Sequence, residues 1–127
     1  QHELAESILR ACGLAIWLNE EKHMDAVTAV SGSGPAYFFL VMEAMENAAI
    51  ELGLPQETAR LLCLETAFGA AKMALESGES ASTLRKQVTS PGGTTIEALR
   101  AFEGSGFRAS VFSAVIAAYE KSKALGG

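Results

Sequence analysis

Two long helical segments, separated by only a short break, constrain the fold more than any other feature. The first is predicted over about Pro35–Leu52, because proline suits a first helical turn, where its missing N–H would have had no partner anyway. Gly53 and the proline that follows it end this segment. The second is predicted over about Pro55–Ser77, and Gly78 is suited to cap its end. The chain therefore contains two consecutive long helices.

Both predicted helices are apolar around most of their circumference. Their polar residues form thin stripes, namely Glu43, Glu46, Asn47 and Glu51 in the first and Glu65, Lys72 and Glu76 in the second. Two such helices are hard to bury in a chain of 127 residues, so we expect a homodimer in which a second copy covers the surplus apolar surface. Gly69, Ala70 and Ala71 offer little bulk and would let another helix approach closely, unless Gly69 is merely tolerated in the helix.

Composition limits the partners of this chain. Ten basic residues against fifteen acidic residues give a net charge of −5, and no segment gathers Lys and Arg into the stripe that phosphate backbones require. We therefore expect no nucleic-acid partner. The longest apolar run, around Pro35–Met42, is far below the roughly 20 residues of a membrane span, and residues 1–10 lack the order of a signal peptide. We expect a cytoplasmic protein without a membrane span.

The remaining segments predict further helices and a short extended part near the N-terminus. Ala26–Val30 is short and β-branched, which favours an extended conformation before the glycines that follow. The other expected elements are a helix over 3–15, a strand over 16–18, a charged turn over 19–25 and helices over about 81–88, 95–102 and 107–124.

The strongest candidate for a binding site is the turn Ser90-Pro91-Gly92-Gly93-Thr94-Thr95. Thr94 and Glu97 fit a capping box, which marks a helix start directly after two glycines. A helix N-terminus presents unpaired N–H groups, glycine lets a ligand approach the backbone, and the serine and threonines add hydroxyls. The turn is suited to a carboxylate or a phosphate. An ordinary tight turn with a helix cap explains the same residues and is the simpler interpretation on the residues alone.

A second candidate is the loop Ser31-Gly32-Ser33-Gly34. It is similar to the start of a dinucleotide-binding fingerprint, but Tyr37 stands where the third glycine is needed, and no second strand follows to complete a βαβ unit. We therefore reject dinucleotide binding by this loop on its own. Two interpretations stay open, a flexible joint between strand and helix or a loop that lines a site.

Cysteine and histidine predict neither a metal site nor a nucleophile. Cys12 and Cys63 lie far apart without a C-x-x-C pair, so both are expected to be buried free thiols. His2 is terminal and His23 falls in the predicted charged turn, which makes a Ser-His-Asp arrangement a poor interpretation. We expect no metal.

Two stretches, residues 25–37 (DAVTAVSGSGPAY) and 88–99 (VTSPGGTTIEAL), resemble the pyrroline-5-carboxylate reductase family. The resemblance includes residues 69–73 and 106–108 and covers nearly the whole chain. It implies an all-α helical bundle, the dimerisation domain of that family, similar to the C-terminal domain of 6-phosphogluconate dehydrogenase. It also implies that residues 1–25 are a remnant of a Rossmann domain, its last helix and strand, and that residues 26–127 form the helical domain.

The resemblance implies an enzyme that reduces 1-pyrroline-5-carboxylate to L-proline with NADPH or NADH, the last step of proline synthesis. The main cofactor site of the family lies in its N-terminal domain, so this chain alone is expected to be inactive. Imine reduction needs a positioned C=N bond, a hydride and a proton, and neither a nucleophile nor a metal. The helical domains of the family pair as homodimers, and rings of dimers occur.

Site residues follow from the same resemblance. Ser90, Gly92 and the N–H groups around Gly93 and Thr94 would hold the substrate carboxylate. The hydroxyl of Thr95, the catalytic residue, would hydrogen-bond the ring nitrogen. The segment Ser33-Gly34-Pro35 would lie against the nicotinamide of the cofactor.

Two other interpretations stay open. A helical substrate domain of another NAD(P)-dependent dehydrogenase, such as a β-hydroxyacid or ketopantoate enzyme, would be expected to carry a catalytic lysine on a helix beside the site. Lys72 is the candidate on a long helix. The third interpretation is a dimerisation module without a ligand.

Overall fold

The computed structural model describes residues 21–126, and the elements in this range are helical. In chain order they are α1 (Glu21–Val27), a π-helix (Thr28–Gly32), α2 (Gly34–Glu51), α3 (Gln56–Ser77), α4 (Ala81–Gln87), α5 (Thr94–Gly104) and α6 (Phe107–Gly126). The all-α prediction is confirmed. The helix predicted over 3–15, the strand over 16–18 and Cys12 lie outside the described residues.

The predicted boundaries of the two long helices agree with α2 and α3 to within one residue. Pro55 occupies the N-cap position of α3, and Gly78 ends that helix in the left-handed conformation with φ 71°. A side chain at this φ would be strained, so glycine is suited to the C-cap. The next helix, α4, begins after Ser80, whose hydroxyl accepts a hydrogen bond from the Thr83 N–H at 3.1 Å.

The extended segment predicted over Ala26–Val30 is wrong, because these residues lie in α1 and the π-helix. The charged turn is also wrong over its described end, since His23 and Asp25 are in α1. Ala29 has no exposed surface, and its packing outweighs the weak β-preference of Val27, Thr28 and Val30. A local preference of a few tenths of a kcal/mol does not decide the conformation of a buried segment.

The described residues belong to two compact units. The first comprises 21–38 and 107–126, where α1, the π-helix and α6 pack against one another. The Ser122 hydroxyl on α6 donates a hydrogen bond to the Asp25 carboxylate on α1 at 2.7 Å. This bond joins the two ends of the described chain within one unit.

The second unit, Phe39–Gly106, holds the rest of α2 together with α3, α4 and α5. Its buried apolar side chains are Ala59 and Cys63, so the prediction of a buried free thiol is confirmed for Cys63. Large apolar side chains of this unit are exposed, among them Phe39, Leu40, Leu52, Leu61, Leu62, Phe68 and Leu75. The surplus apolar surface expected from the sequence is therefore present on the single chain.

The small-residue stretch of α3 has no close neighbour in the described part of the chain. A Cβ added to Gly69 would meet nothing within 4 Å. Within residues 21–126, therefore, no helix approaches Gly69 as closely as the small residues of this stretch would permit. None of the described helices is both long and apolar enough to cross a membrane.

Candidate functional site

Two hydrogen bonds of Thr89, which sequence reasoning missed, fix the start of the turn between α4 and α5. The Thr89 hydroxyl donates to the Arg85 carbonyl at 2.6 Å, and the Thr89 N–H donates to the Lys86 carbonyl at 3.1 Å. A threonine four residues after a helical carbonyl is the signal for such a bond. Thr89 therefore fixes the chain at the end of α4, directly before Ser90.

The next four residues form a closed β-turn. The Gly93 N–H donates to the Ser90 carbonyl at 3.1 Å. Gly92 has φ 74° and follows Pro91, which is the residue order of a type II turn with proline second and glycine third. Gly92 therefore supplies the positive φ that a residue with a side chain would adopt only under strain.

Gly93 is required for a different reason. Its φ of −88° and ψ of −178° are open to any residue. A Cβ at this position would lie 3.3 Å from the Ser90 carbonyl oxygen and 3.6 Å from the Ser90 Cβ. The side of the turn that a side chain would occupy is therefore already filled by Ser90.

The predicted capping box is wrong. Gly93, not Thr94, occupies the N-cap position of α5 and makes no side-chain hydrogen bond there, while Thr94 is the first residue of the helix. With Gly93 as the N-cap, Glu97 lies one position too late to reach back, and it pairs with Arg100 at 2.6 Å instead. The first N–H groups of α5 therefore have no side-chain acceptor at the N-cap, and such groups can donate to an acceptor from outside the helix.

The structure brings the five predicted substrate-binding residues together at the start of α5. Ser90, Gly92 and Thr94 are exposed, whereas Gly93 and Thr95 are half-buried. An anion at this position would meet backbone N–H groups and the positive end of an 11-residue helix. The Thr95 hydroxyl lies in the first turn of the same helix, in the more sheltered part of the turn.

The segment Ser33-Gly34-Pro35 lies in the first unit, where it connects the π-helix to α2. The idea of a joint between a strand and a helix is wrong, because both flanking elements are helical. The Ser33 N–H donates to the Thr28 carbonyl at 2.9 Å, and the Ala36 N–H donates to the Ser33 carbonyl at 3.0 Å. Gly34 is buried, and Ser33 and Pro35 are half-buried, so this junction is ordered by backbone bonds on both sides.

Tyr37 has a role in this junction that sequence reasoning did not find. Its hydroxyl donates to the Ala29 carbonyl in the π-helix at 2.6 Å. In the sequence, Tyr37 stood out only as the residue that replaces a glycine of the dinucleotide fingerprint. Nothing in a single sequence shows which carbonyl a tyrosine eight residues further on will reach.

The lysine of the alternative dehydrogenase interpretation is engaged elsewhere. Lys72 on α3 forms an exposed ion pair with Glu76 at 2.6 Å, which is the ordinary spacing of a helix surface pair. Within residues 21–126, no three His, Cys, Asp or Glu side chains are grouped so that they would hold a metal ion.

Comparison with known proteins gives one consistent family. The model of the family described as pyrroline-5-carboxylate reductase dimerisation matches residues 21–125. The pyrroline-5-carboxylate reductase of Pseudomonas aeruginosa is 54% identical over 125 residues, which are 98% of this chain and 46% of that protein. This chain therefore spans about half the length of the curated relative.

Solved structures agree with the sequence comparisons. The crystal structure of the Plasmodium falciparum pyrroline carboxylate reductase with NADP bound matches with a TM-score of 0.81 and 41% identity, covering 85% of this chain and 41% of that chain. The Coxiella burnetii pyrroline-5-carboxylate reductase matches with a TM-score of 0.80 and 48% identity, covering 84% of this chain and 39% of that chain. The family model, the identities and the helical fold show that this chain belongs to the pyrroline-5-carboxylate reductase family, in the region that the family model describes as dimerisation.

Proposed function

We propose that this chain is the dimer-forming and substrate-binding part of an enzyme that reduces 1-pyrroline-5-carboxylate to L-proline with NADPH or NADH. Family membership supports the activity. The observation that carries the role of this chain is the start of α5, where a closed turn leaves the first N–H groups of a helix without a side-chain cap. The cytoplasm is the compartment proposed for it.

The substrate carboxylate is proposed to bind at Ser90, Gly92, Gly93 and Thr94. A carboxylate accepts several hydrogen bonds, and bonds to a charged acceptor are worth about 1.5–3 kcal/mol each. The N–H groups at the start of α5 and the exposed Ser90 hydroxyl are the donors. Glu97 would repel a bound anion from the first turn, but its ion pair with Arg100 reduces that repulsion.

The Thr95 hydroxyl is proposed to contact the ring nitrogen. In the reaction, hydride is added to the imine carbon, and the nitrogen ends with one more proton or keeps the proton of the iminium form. A hydroxyl can donate a hydrogen bond to a neutral imine nitrogen or accept one from its protonated form. Thr95 would therefore orient the C=N bond while the carboxylate is held at the other side of the turn.

The segment Ser33-Gly34-Pro35 is proposed to lie against the nicotinamide, whose hydride the bound cofactor supplies. A Cβ added to Gly34 would meet no described atom within 4 Å apart from its chain neighbours and its own helix backbone, and the residues on either side of this buried glycine are half-buried. The NADP named with the Plasmodium falciparum structure is consistent with a nicotinamide dinucleotide in this family. The described residues contain no strand and so do not supply a dinucleotide-binding sheet. Residues 1–25 are proposed as the remnant of that domain, before a helical domain at 26–127.

A homodimer is proposed to cover the exposed apolar side chains of α2 and α3. Leu52 and Leu75, for example, are 86% and 72% exposed on the single chain. Exposed apolar surface of this kind marks an interface with another chain, and the family model describes this region as dimerisation. Larger rings of dimers are part of the same proposal.

The test of the binding turn is calorimetric titration of the chain with L-proline, the reaction product. We expect Thr95→Ala to weaken binding about tenfold, because one hydrogen bond to the ring nitrogen is lost. Thr58→Ala, on the exposed first turn of α3, is the matched control and should bind as the parent chain does. In an NMR titration of the chain with L-proline, chemical shift changes confined to residues outside 90–95 would overturn the assignment.

The test of the activity joins this chain to the cofactor domain of the Pseudomonas aeruginosa reductase, which is 54% identical over the shared region. The fusion should oxidise NADPH when pyrroline carboxylate is added, and the chain alone should not. A fusion that is folded and dimeric but turns over no substrate would indicate a dimerisation module without a ligand.

A further inference from the structure

We propose that Tyr37 is a positioning residue, whose hydroxyl holds the π-helix in its register and so fixes how Ser33-Gly34-Pro35 is presented to the nicotinamide. The inference rests on the proposed function for the cofactor side of the reaction. Its structural part rests on the first unit alone, where all of these residues lie.

The backbone bond that ends the π-helix skips one residue more than an α-helical bond. The Ser33 N–H reaches the Thr28 carbonyl at 2.9 Å, a separation of five positions where an α-helix has four. π-helices are rare because their bonds compete with the regular α-helical pattern, and they persist where other contacts hold them. The π-helix at Thr28–Gly32 therefore requires contacts that hold it.

Three side-chain hydroxyls make hydrogen bonds to backbone carbonyls in or next to the π-helix. Thr28 donates to the Met24 carbonyl at 3.0 Å, and Ser31 donates to the Val27 carbonyl at 2.8 Å. Both of these bonds span four residues and suit an ordinary helix as well. Tyr37 donates to the Ala29 carbonyl at 2.6 Å across eight residues, and this bond links the π-helix to the first turn of α2.

The hydrogen bond from the Tyr37 hydroxyl to the Ala29 carbonyl depends on the register of the π-helix. If the segment relaxed to an α-helix, one residue would leave the wide turn, and the residues beyond it would rotate by about 100° around the helix axis. Ser33 and Gly34 would then present a different face, and the Tyr37 hydroxyl would lose the Ala29 carbonyl. The half-buried Tyr37 ring and the buried Ala29 are both part of the packed first unit, so the bond is made in a fixed setting.

The experiment compares Tyr37→Phe with Tyr119→Phe. The first keeps the ring and removes the bond to Ala29; the second removes the hydroxyl of the other tyrosine, which lies half-buried on α6 with its ring facing Lys123. In the chain itself, hydrogen exchange of the Ser33 N–H should become about fivefold faster in Tyr37→Phe, the factor expected for one hydrogen bond. Exchange in α5 should not change.

In the fusion with the relative's cofactor domain, Tyr37→Phe should raise KM for NADPH about fivefold. KM for pyrroline carboxylate should stay as in the parent, because the carboxylate turn belongs to the other unit. Tyr119→Phe should change neither. A uniform rise in hydrogen exchange across the chain would show that Tyr37 only contributes stability and would overturn the inference. Unchanged exchange of the Ser33 N–H would show that Tyr37 does not hold the π-helix, and an unchanged KM for NADPH would show that it does not position the cofactor segment; either result would also overturn the inference. A parent fusion without turnover would instead contradict the proposed function.

Discussion

Replacing Gly93 by alanine separates the binding role of the turn from its contribution to stability. The φ of −88° and ψ of −178° at this residue are ordinary extended values. Alanine there reduces the freedom of the unfolded chain, which stabilises a protein by about 0.4–1 kcal/mol where no strain arises. The added Cβ would lie 3.3 Å from the Ser90 carbonyl oxygen, so the turn must open by a few tenths of an ångström.

These two effects oppose each other in the free energy of unfolding. A displacement of this size costs on the order of 1 kcal/mol, comparable to overpacking at its mild end. We therefore expect the free energy of unfolding of Gly93→Ala to stay within about 1 kcal/mol of the parent. Binding has no such compensation, because opening the turn between Ser90 and Gly93 would displace the groups proposed to hold the carboxylate. Losing one charge-assisted bond of about 1.5–3 kcal/mol weakens L-proline binding by roughly 10- to 100-fold.

Gly92→Ala provides the contrast. Its φ of 74° lies in the left-handed region, where a Cβ costs roughly 1–2 kcal/mol. Thermal unfolding should therefore separate the two variants, with Gly92→Ala the less stable. Calorimetric titration with L-proline then measures binding for each. If Gly93→Ala binds proline as tightly as the parent chain, the carboxylate does not sit against this turn and the reasoning is refuted.

Two further variants test the dimer and the first unit. Leu75→Lys places a charge on a side chain that is 72% exposed in the single chain, so sedimentation should show a shift from dimer to monomer; an undisturbed dimer would place the interface elsewhere. Ser122→Ala removes the 2.7 Å bond to Asp25 and should lower the free energy of unfolding by about 1 kcal/mol in chemical denaturation, whereas no loss would mean that water replaces the hydroxyl without cost.

The helix boundaries were predictable because they depend on residues close in sequence. Proline and glycine act on their own backbone, so the ends of α2 and α3 follow from Pro35, Pro55 and Gly78 without any knowledge of tertiary contacts. The N-cap of α5 was predicted at Thr94, one residue later than Gly93, where it lies. A capping box requires the helix to begin after Thr94, and in the structure it begins with that residue.

The region before α2 was not predictable in the same way. Val27, Thr28 and Val30 favour an extended conformation locally, yet Ala29 is buried among helices that include α6, about eighty residues further along the chain. The bond from Ser122 to Asp25 likewise spans 97 positions. A conformation that depends on such distant contacts produces no local sequence pattern from which it could be predicted.

The proposed carboxylate turn is shaped by bonds between near neighbours, although it lies in the unit with few buried side chains. Thr89 bonds Arg85, Gly93 bonds Ser90 and Glu97 pairs with Arg100, so each of these contacts spans only three or four residues. A turn fixed in this way keeps its geometry while the exposed faces of α2 and α3 are engaged by a partner. The dimer would then contribute chiefly to the stability of the second unit, and the start of α5 to its affinity for the substrate carboxylate. This is why the Leu75 and Gly93 variants are expected to affect different measurements.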